Sequence, residues 1–198
     1  MQNLQIILVR HGETIWNKEG RYQGRNDSSL TTKGEAETIE NARKIEHYLG
    51  KKRDGIKLYS SPLGRAKQSS KIIAERLNLD LEKTLFDSRL VEIDYGIFEG
   101  KLKSICQTDY KKIYEEREAN KWHYQIKQGE SYAMAEKRVR SWISDQQGDD
   151  LIIVVAHEMI NRILRGIYLN LTQDEILTLR QKNDTVLLLT EGEEHILY

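Results

Sequence analysis

The chain of 198 residues is long enough for one domain with a sizeable core, and 38% hydrophobic with 31% charged residues is a globular rather than a disordered composition. Lys plus Arg and Asp plus Glu both number 31, so no net charge draws the chain to nucleic acid or to a membrane surface, and an anionic ligand must be caught by a local cluster. A single Cys, Cys106, excludes an internal disulfide and a thiolate zinc site, while the short amino-terminal apolar run fits no secretion signal and no run reaches membrane-spanning length, so a cytoplasmic protein is expected.

Ile6 to Val9 reads as a buried strand, and the chain changes character immediately after it. Arg10 brings a permanent charge and a fork of donors. His11 brings a side chain able to attack or to move a proton near neutral pH. Gly12 lets the backbone turn sharply. Groups just past the carboxyl end of a buried strand sit where open α/β sheets bind ligands. Glu13 to Asn17 reads as a short helix or turn, and Lys18 to Asp27 as a polar loop in which Arg21, Gln23 and Arg25 are candidates for a pocket wall. Thr31 or Thr32 caps the next helix, with Glu35 completing a capping box from Thr32. Its apolar stripe is Ala36, Ile39, Ile45, Tyr48 and Leu49, and Gly50 ends it.

Lys51 to Gly55 is a charged linker and Ile56 to Tyr59 a short strand. Ser61 reads as an N-cap with Pro62 as the first helical residue, which puts Arg65 in the first turn. A cation there opposes the helix dipole, so Arg65 is assigned to an anion. Leu79 to Phe86 is a further strand candidate. Glu92 and Asp94 follow among apolar neighbours, with Gly96 and Gly100 after them. A carboxyl in such surroundings is either an acid of raised pKa, able to donate a proton, or a strand-edge carboxylate.

The stretch from Lys101 to Gln147 reads as two or three helices broken at Gly129 to Ser131, with Ser131 capping the last. Tyr110, Tyr114, Trp122, Tyr124 and Trp142 are read as packing residues rather than a platform for bases. Gly148 to Asp150 closes the segment. Leu151 to Ala156 is a second buried strand, ending at His157, and Glu158 to Tyr168 continues as a helix. A short helix within Leu169 to Leu179, a turn at Asn183 and Asp184, a strand from Thr185 to Leu189 and a turn at Glu191 to Glu193 complete the chain.

Two core strands that each end in a His can bring both rings to one crevice. With Arg10, Arg65 and Glu92 at neighbouring strand ends, the residue types suit phosphoryl transfer. Guanidinium forks bind phosphate, one neutral imidazole attacks, a protonated one balances charge, and a carboxylic acid protonates the departing oxygen.

Taken together, Arg10 to Thr14 with Asn17, Gln23-Gly24, Leu30-Thr31 to Gly34, Ser60 to Ala66, Leu90 to Gly96 with Glu99-Gly100, Gly129 to Ser131 and Val154 to His157 lie in an order that resembles the histidine phosphatase superfamily. The branch is the one that also holds cofactor-dependent phosphoglycerate mutases. The resemblance implies an α/β fold. It would be a three-layer sandwich whose mostly parallel central sheet is flanked by helices, with a helical insertion (about 101–147) over the active site in a single domain, 1–198. It implies His11 as the nucleophile that becomes phosphohistidine. Arg10, Arg65 and His157 would hold the phosphoryl group with help from Asn17, and Glu92 would be proton donor and then base. Gln23 and Gly24 would join the substrate pocket. No metal and no cofactor is expected. The expected activity is hydrolysis of a small phosphorylated metabolite. The alternative is a phosphoglycerate mutase using the same intermediate, although mutases of this kind are longer. A catalytically poor phospho-ligand-binding module is a third reading, and a zinc hydrolase lacks the ligand spacing it needs.

Two departures bear on the substrate. Glu158 stands where the family carries Gly after the second His. As a pocket residue it would repel a phosphate, and in a helix's first turn it is simply favourable. Met159 and Asn161 replace small or apolar residues expected near the pocket mouth. Substrate identity and oligomeric state are left open by the sequence.

Overall fold

The computed structural model describes residues 4–51, 55–146 and 151–198. Most of the charged linker and the closing turn at Gly148 to Asp150 therefore lie outside the described residues.

The chain opens with β1 (Gln5–Arg10), whose four central residues are buried. Then α1 (Ile15–Glu19) starts on a capping box in which Thr14 and Asn17 exchange backbone and side-chain bonds. Thr31 caps α2 (Thr32–Leu49) by accepting from the Gly34 N–H at 3.0 Å. The buried face of α2 is Gly34, Thr38, Asn41, Ala42, Ile45 and Leu49. Ile39 and Tyr48, placed in the apolar stripe by the sequence, are instead 42% and 41% exposed. Two polar residues of the inner face have donors that are met there: Thr38 Oγ1 donates to the Gly34 carbonyl and Asn41 Nδ2 to the Asn183 carbonyl.

After β2 (Lys57–Ser60), α3 (Gly64–Leu77) begins later than the Ser61-Pro62 signal implies. Its N-cap position is Leu63, with no side-chain cap, and the Ser61 hydroxyl is engaged elsewhere. Of the Leu79 to Phe86 stretch only β3 (Leu85–Phe86) is strand. Glu92 lies on no strand. It sits between two 3-10 turns, Ser88–Leu90 and Gly96–Phe98. The helical stretch contains α4 (Lys103–Thr108), α5 (Lys111–Ala119) and α6 (Tyr132–Ser144), the last capped by Ser131 as expected. β4 (Leu151–Ala156) and α7 (Glu158–Tyr168) match the sequence reading. The chain ends with α8 (Gln173–Thr178), β5 (Val186–Thr190) and β6 (Glu193–Leu197).

The six strands form one sheet in the order β3-β2-β4-β1-β5-β6. The first four run parallel, and β5 and β6 are antiparallel to their neighbours. Because successive side chains alternate, the sheet has two apolar faces. Ile7, Val9, Ile153 and Val155 pack against α2 and α3. Ile6, Leu8, Ile152 and Val154 pack against α6, α7 and α8. The protein is thus the expected mixed α/β sandwich. Within the helical stretch, α6 belongs to the sheet layer, with Trp142 fully buried edge-on to Tyr59 at 5.4 Å. A separate small core of Tyr22, Tyr95, Phe98, Cys106 and Ile126 supports α4 and α5.

The alignment of the two central strands positions the reactive groups. Arg10 pairs with Ala156 across β1 and β4, so both strands end level and the next residue on each is a histidine.

Candidate active site

His11 leaves β1 with its N–H bonded to the Ala156 carbonyl at 3.1 Å. Gly12 is required there, because a Cβ would lie 2.0 Å from the Gly34 carbonyl oxygen. The ring of His11 lies 5.1 Å, centroid to centroid, from that of His157. Its Nδ1 is 2.8 Å from the Gly12 carbonyl, an acceptor, so Nδ1 carries the hydrogen and Nε2 keeps a free lone pair. His157 is fixed from the other end, with Nε2 2.8 Å from the Ser61 hydroxyl and Nδ1 buried without a partner.

Arg65 is 1% exposed and clamped. Nη2 donates to the Gly24 carbonyl at 2.7 Å, and Nη1 donates to the Asn26 carbonyl at 2.8 Å and to Asp27 Oδ1 at 3.0 Å. Its Nε has no partner. Arg10 donates from Nη1 to the Gln181 carbonyl at 3.0 Å and pairs with Glu158 at 3.1 Å, and its Nε is likewise unpartnered. A buried polar atom without a partner costs about 1–3 kcal/mol and calls for an explanation. Two of them, Arg10 Nε and Arg65 Nε, belong to residues that line one pocket of about 230 Å³, and a third, His157 Nδ1, sits on the ring 5.1 Å from that of His11, which also lines it. The two guanidinium nitrogens are donors, which suits an anionic ligand.

Burial, and then the charges of Arg65 and Arg10, hold the His11 pKa well below the usual histidine value, and only the Gly12 carbonyl pulls the other way. Burial also depresses His157, followed by Arg65, His11 and Arg10. Both rings are therefore held neutral near pH 7, and the assignment of a protonated form to one of them does not describe this environment. Burial raises the Glu92 pKa above the ordinary carboxylate value, against the N–H groups of Ile93 (2.9 Å) and Met159 (3.4 Å) and the charges of Arg65 and Arg10.

The remaining sequence candidates are also placed. Asn17, Arg21, Gln23, Gly24 and Glu158 line the pocket. Asn17 is tied into the α1 cap, and Gln23 donates to Thr14 Oγ1 and to Ser28 Oγ, bracing the same turn. Arg25 instead pairs with Asp94 and Glu130, at 3.6 and 3.8 Å. Met159 lines the pocket, whereas Asn161 is fully buried beneath it, donating to the Val9 carbonyl and to Gln181. Tyr95, Lys103, Arg117, Lys121, Arg162 and Arg180 also line the wall and were not singled out in the sequence. Only Arg162 gave a signal, its i,i+4 spacing from Glu158. Asp27 and Gln181 reach the two arginines through chain folding alone.

The profile described as "Histidine phosphatase superfamily (branch 1)" matches residues 6–197. The chain belongs to the histidine phosphatase superfamily. Among curated proteins it resembles "Probable phosphoglycerate mutase GpmB" of Salmonella paratyphi C, 45% identical over 96 residues, which is 48% of this chain and 41% of that protein. The match thus spans less than half the length of this curated relative. Among solved structures it superposes on the alpha-ribazole phosphatase from Shigella flexneri with a TM-score of 0.80, at 20% identity over 98% of this chain and 95% of that one. It superposes on a mycobacterial glucosyl-3-phosphoglycerate phosphatase in complex with VO3, also at 0.80, with 22% identity over 97% and 96%. For Bacillus stearothermophilus YhfR the values are 0.77 and 26%, over 98% and 95%. These three structures share the fold. No helix among the described residues is long and apolar enough to cross a membrane.

Proposed function

We propose that this protein is a phosphomonoesterase that hydrolyses a small phosphorylated metabolite through a phosphohistidine on His11. The observation that carries the reading is the pair of imidazoles 5.1 Å apart, flanked by Arg10 and Arg65, with three buried polar atoms left unpartnered around them. The pocket of about 230 Å³ suits a small ester.

In this scheme the Nε2 lone pair of His11 attacks phosphorus. The P–N bond forms as the ester P–O bond breaks, and the departing oxygen takes the proton of the Glu92 carboxyl. Arg10, Arg65 and His157 meet the charge on the non-bridging oxygens, which is most of what phosphoryl transfer asks of a protein. Water then attacks phosphorus and gives its proton to the Glu92 carboxylate. The P–N bond breaks with its electron pair returning to Nε2, and orthophosphate leaves. No metal takes part.

Radiolabelled phenyl phosphate tests the scheme. Label on the protein that survives alkaline quench and is lost in acid is phosphohistidine, and steady turnover without label on His11 would refute the scheme. The mutase reading draws on the name of the curated relative. It predicts that 3-phosphoglycerate, offered with its bisphosphorylated cofactor, is interconverted faster than phosphate is released.

A further inference from the structure

We propose that Glu158 is a specificity-determining residue whose carboxylate fills the anion position between Arg10 and Arg162, so that the pocket disfavours phosphate esters carrying a second anionic group on the α7 side. The inference rests on the phosphomonoesterase reading. Arg10 and Arg162 both line the pocket, with side chains 14% and 5% exposed. Paired guanidinium groups on a pocket wall ordinarily receive a carboxylate or a phosphate. Here the chain supplies that anion itself: Glu158 Oε2 lies 3.1 Å from Arg10 Nη1, and Oε1 lies 2.5 Å from Arg162 Nη2.

Three features keep the carboxylate in place and charged. It stands in the first turn of α7, where the helix dipole favours a negative group. Its spacing to Arg162 is i,i+4, so both side chains leave the same helix face. Burial alone would raise its pKa, but Arg10, Arg162 and the bond to Arg162 outweigh burial and hold it below the ordinary value. Elsewhere in the pocket lining, Arg117 and Lys121 are matched in the same way by Glu118, at 2.6 and 2.8 Å. Glu158 leaves Arg10 Nε unpartnered, so the same arginine can serve the reacting phosphoryl group while its outer nitrogen is occupied. The ester best suited to this pocket carries no anionic group on the side that faces α7.

The test compares kcat/KM for phenyl phosphate and 3-phosphoglycerate in the wild-type protein, Glu158→Gln and Arg162→Met, with calorimetric affinities for orthophosphate and pyrophosphate alongside. Glu158→Gln is expected to raise kcat/KM for 3-phosphoglycerate relative to phenyl phosphate at least tenfold, through KM. It should also tighten pyrophosphate relative to orthophosphate in the same proportion. Arg162→Met strips the carboxylate of one partner and is expected to deepen the discrimination, and it judges the proposal if Glu158→Gln does not fold. The proposal is overturned if the wild-type protein prefers 3-phosphoglycerate, or if both substrates change by one common factor, which is the signature of a residue that merely orients Arg10. If neither ester is turned over by the wild-type protein, the phosphatase reading fails, and the ratio of pyrophosphate to orthophosphate affinity still decides the role of Glu158.

Discussion

The Ser61 hydroxyl lies 2.8 Å from Nε2 of His157. This contact joins the end of β2 to the end of β4, and it fixes which nitrogen of His157 is left for a ligand. In the sequence Ser61 looks like a helix cap. In the structure its oxygen does accept the Leu63 N–H, at 3.3 Å, but its partner across the sheet is the histidine. Ser61→Ala leaves a buried ring nitrogen unpaired and is expected to lower stability by about 1–3 kcal/mol. It should also weaken orthophosphate binding, because His157 Nδ1 is no longer held in place. Urea unfolding and calorimetry of the variant check both effects.

His11→Ala is expected to abolish turnover and alkali-stable labelling together, since in the proposed scheme His11 alone forms the covalent intermediate. Orthophosphate should still bind, because Arg10, Arg65 and His157 remain. Residual turnover of phenyl phosphate with wild-type kinetics would transfer the nucleophile's role elsewhere.

Glu92→Gln removes the proton donor of the proposed scheme while keeping its shape. A general acid contributes about 10²–10⁴-fold where the leaving group is a poor one. The loss in kcat/KM, which reports formation of the intermediate, is therefore expected to be large for alkyl phosphates and within about tenfold for aryl phosphates, whose leaving oxygen needs little protonation. The raised Glu92 pKa predicts that kcat/KM of the wild-type protein falls on the alkaline side as Glu92 ionises and that this fall is lost in the variant. Equal losses on both ester classes would count against Glu92 as the acid.

The two neutral histidines make stability depend on pH. Their folded pKa values lie well below 6.5, so as pH falls from about 6.5 the unfolded chain takes up protons that the folded chain does not. Stability is present above that value and is lost as pH falls, by up to about 1.4 kcal/mol per pH unit for each ring. Glu92 acts with the opposite sign. Its raised folded pKa means the unfolded chain ionises first, so its contribution declines as pH rises above about 4.5. Urea midpoints between pH 7 and 5 should fall, and His157→Gln should flatten the slope.

Gly24 has φ +58°, and a Cβ there would lie 1.8 Å from Glu99 Oε1. Glu99 accepts the N–H groups of Arg25 and Asn26, at 2.7 and 2.9 Å, and so holds the loop whose carbonyls clamp Arg65. Gly24→Ala is expected to reduce phosphate affinity at least tenfold through the misplaced Arg65. Affinity unchanged by Gly24→Ala would show that the clamp is not needed.

Much of the molecule was legible in order along the chain. The runs Ile6 to Val9 and Leu151 to Ala156 are apolar enough to be nothing but core strands. Each stops abruptly at a charged or titratable residue, so the candidate reacting groups were visible as strand ends. The cap at Ser131 was legible too, because capping is a local bond between neighbours, whereas at the start of α2 the sequence left Thr31 and Thr32 open and drew a capping box from Thr32, and the structure puts the cap on Thr31. Other features were decided by folding alone. The level register of β1 with β4 sets the two imidazoles 5.1 Å apart, and no periodicity along one strand encodes its alignment with a partner more than a hundred residues away. The inner face of α2 departs from its apolar stripe because the Asn183 carbonyl, from a distant turn, pairs with Asn41. Asp27 against Arg65, and Glu158 shared between Arg10 and Arg162, are likewise products of the assembled sheet. A charge declares its presence in sequence. Its partner, and with it the direction of the pKa shift and the ligand it leaves room for, is fixed only when the chain closes around it.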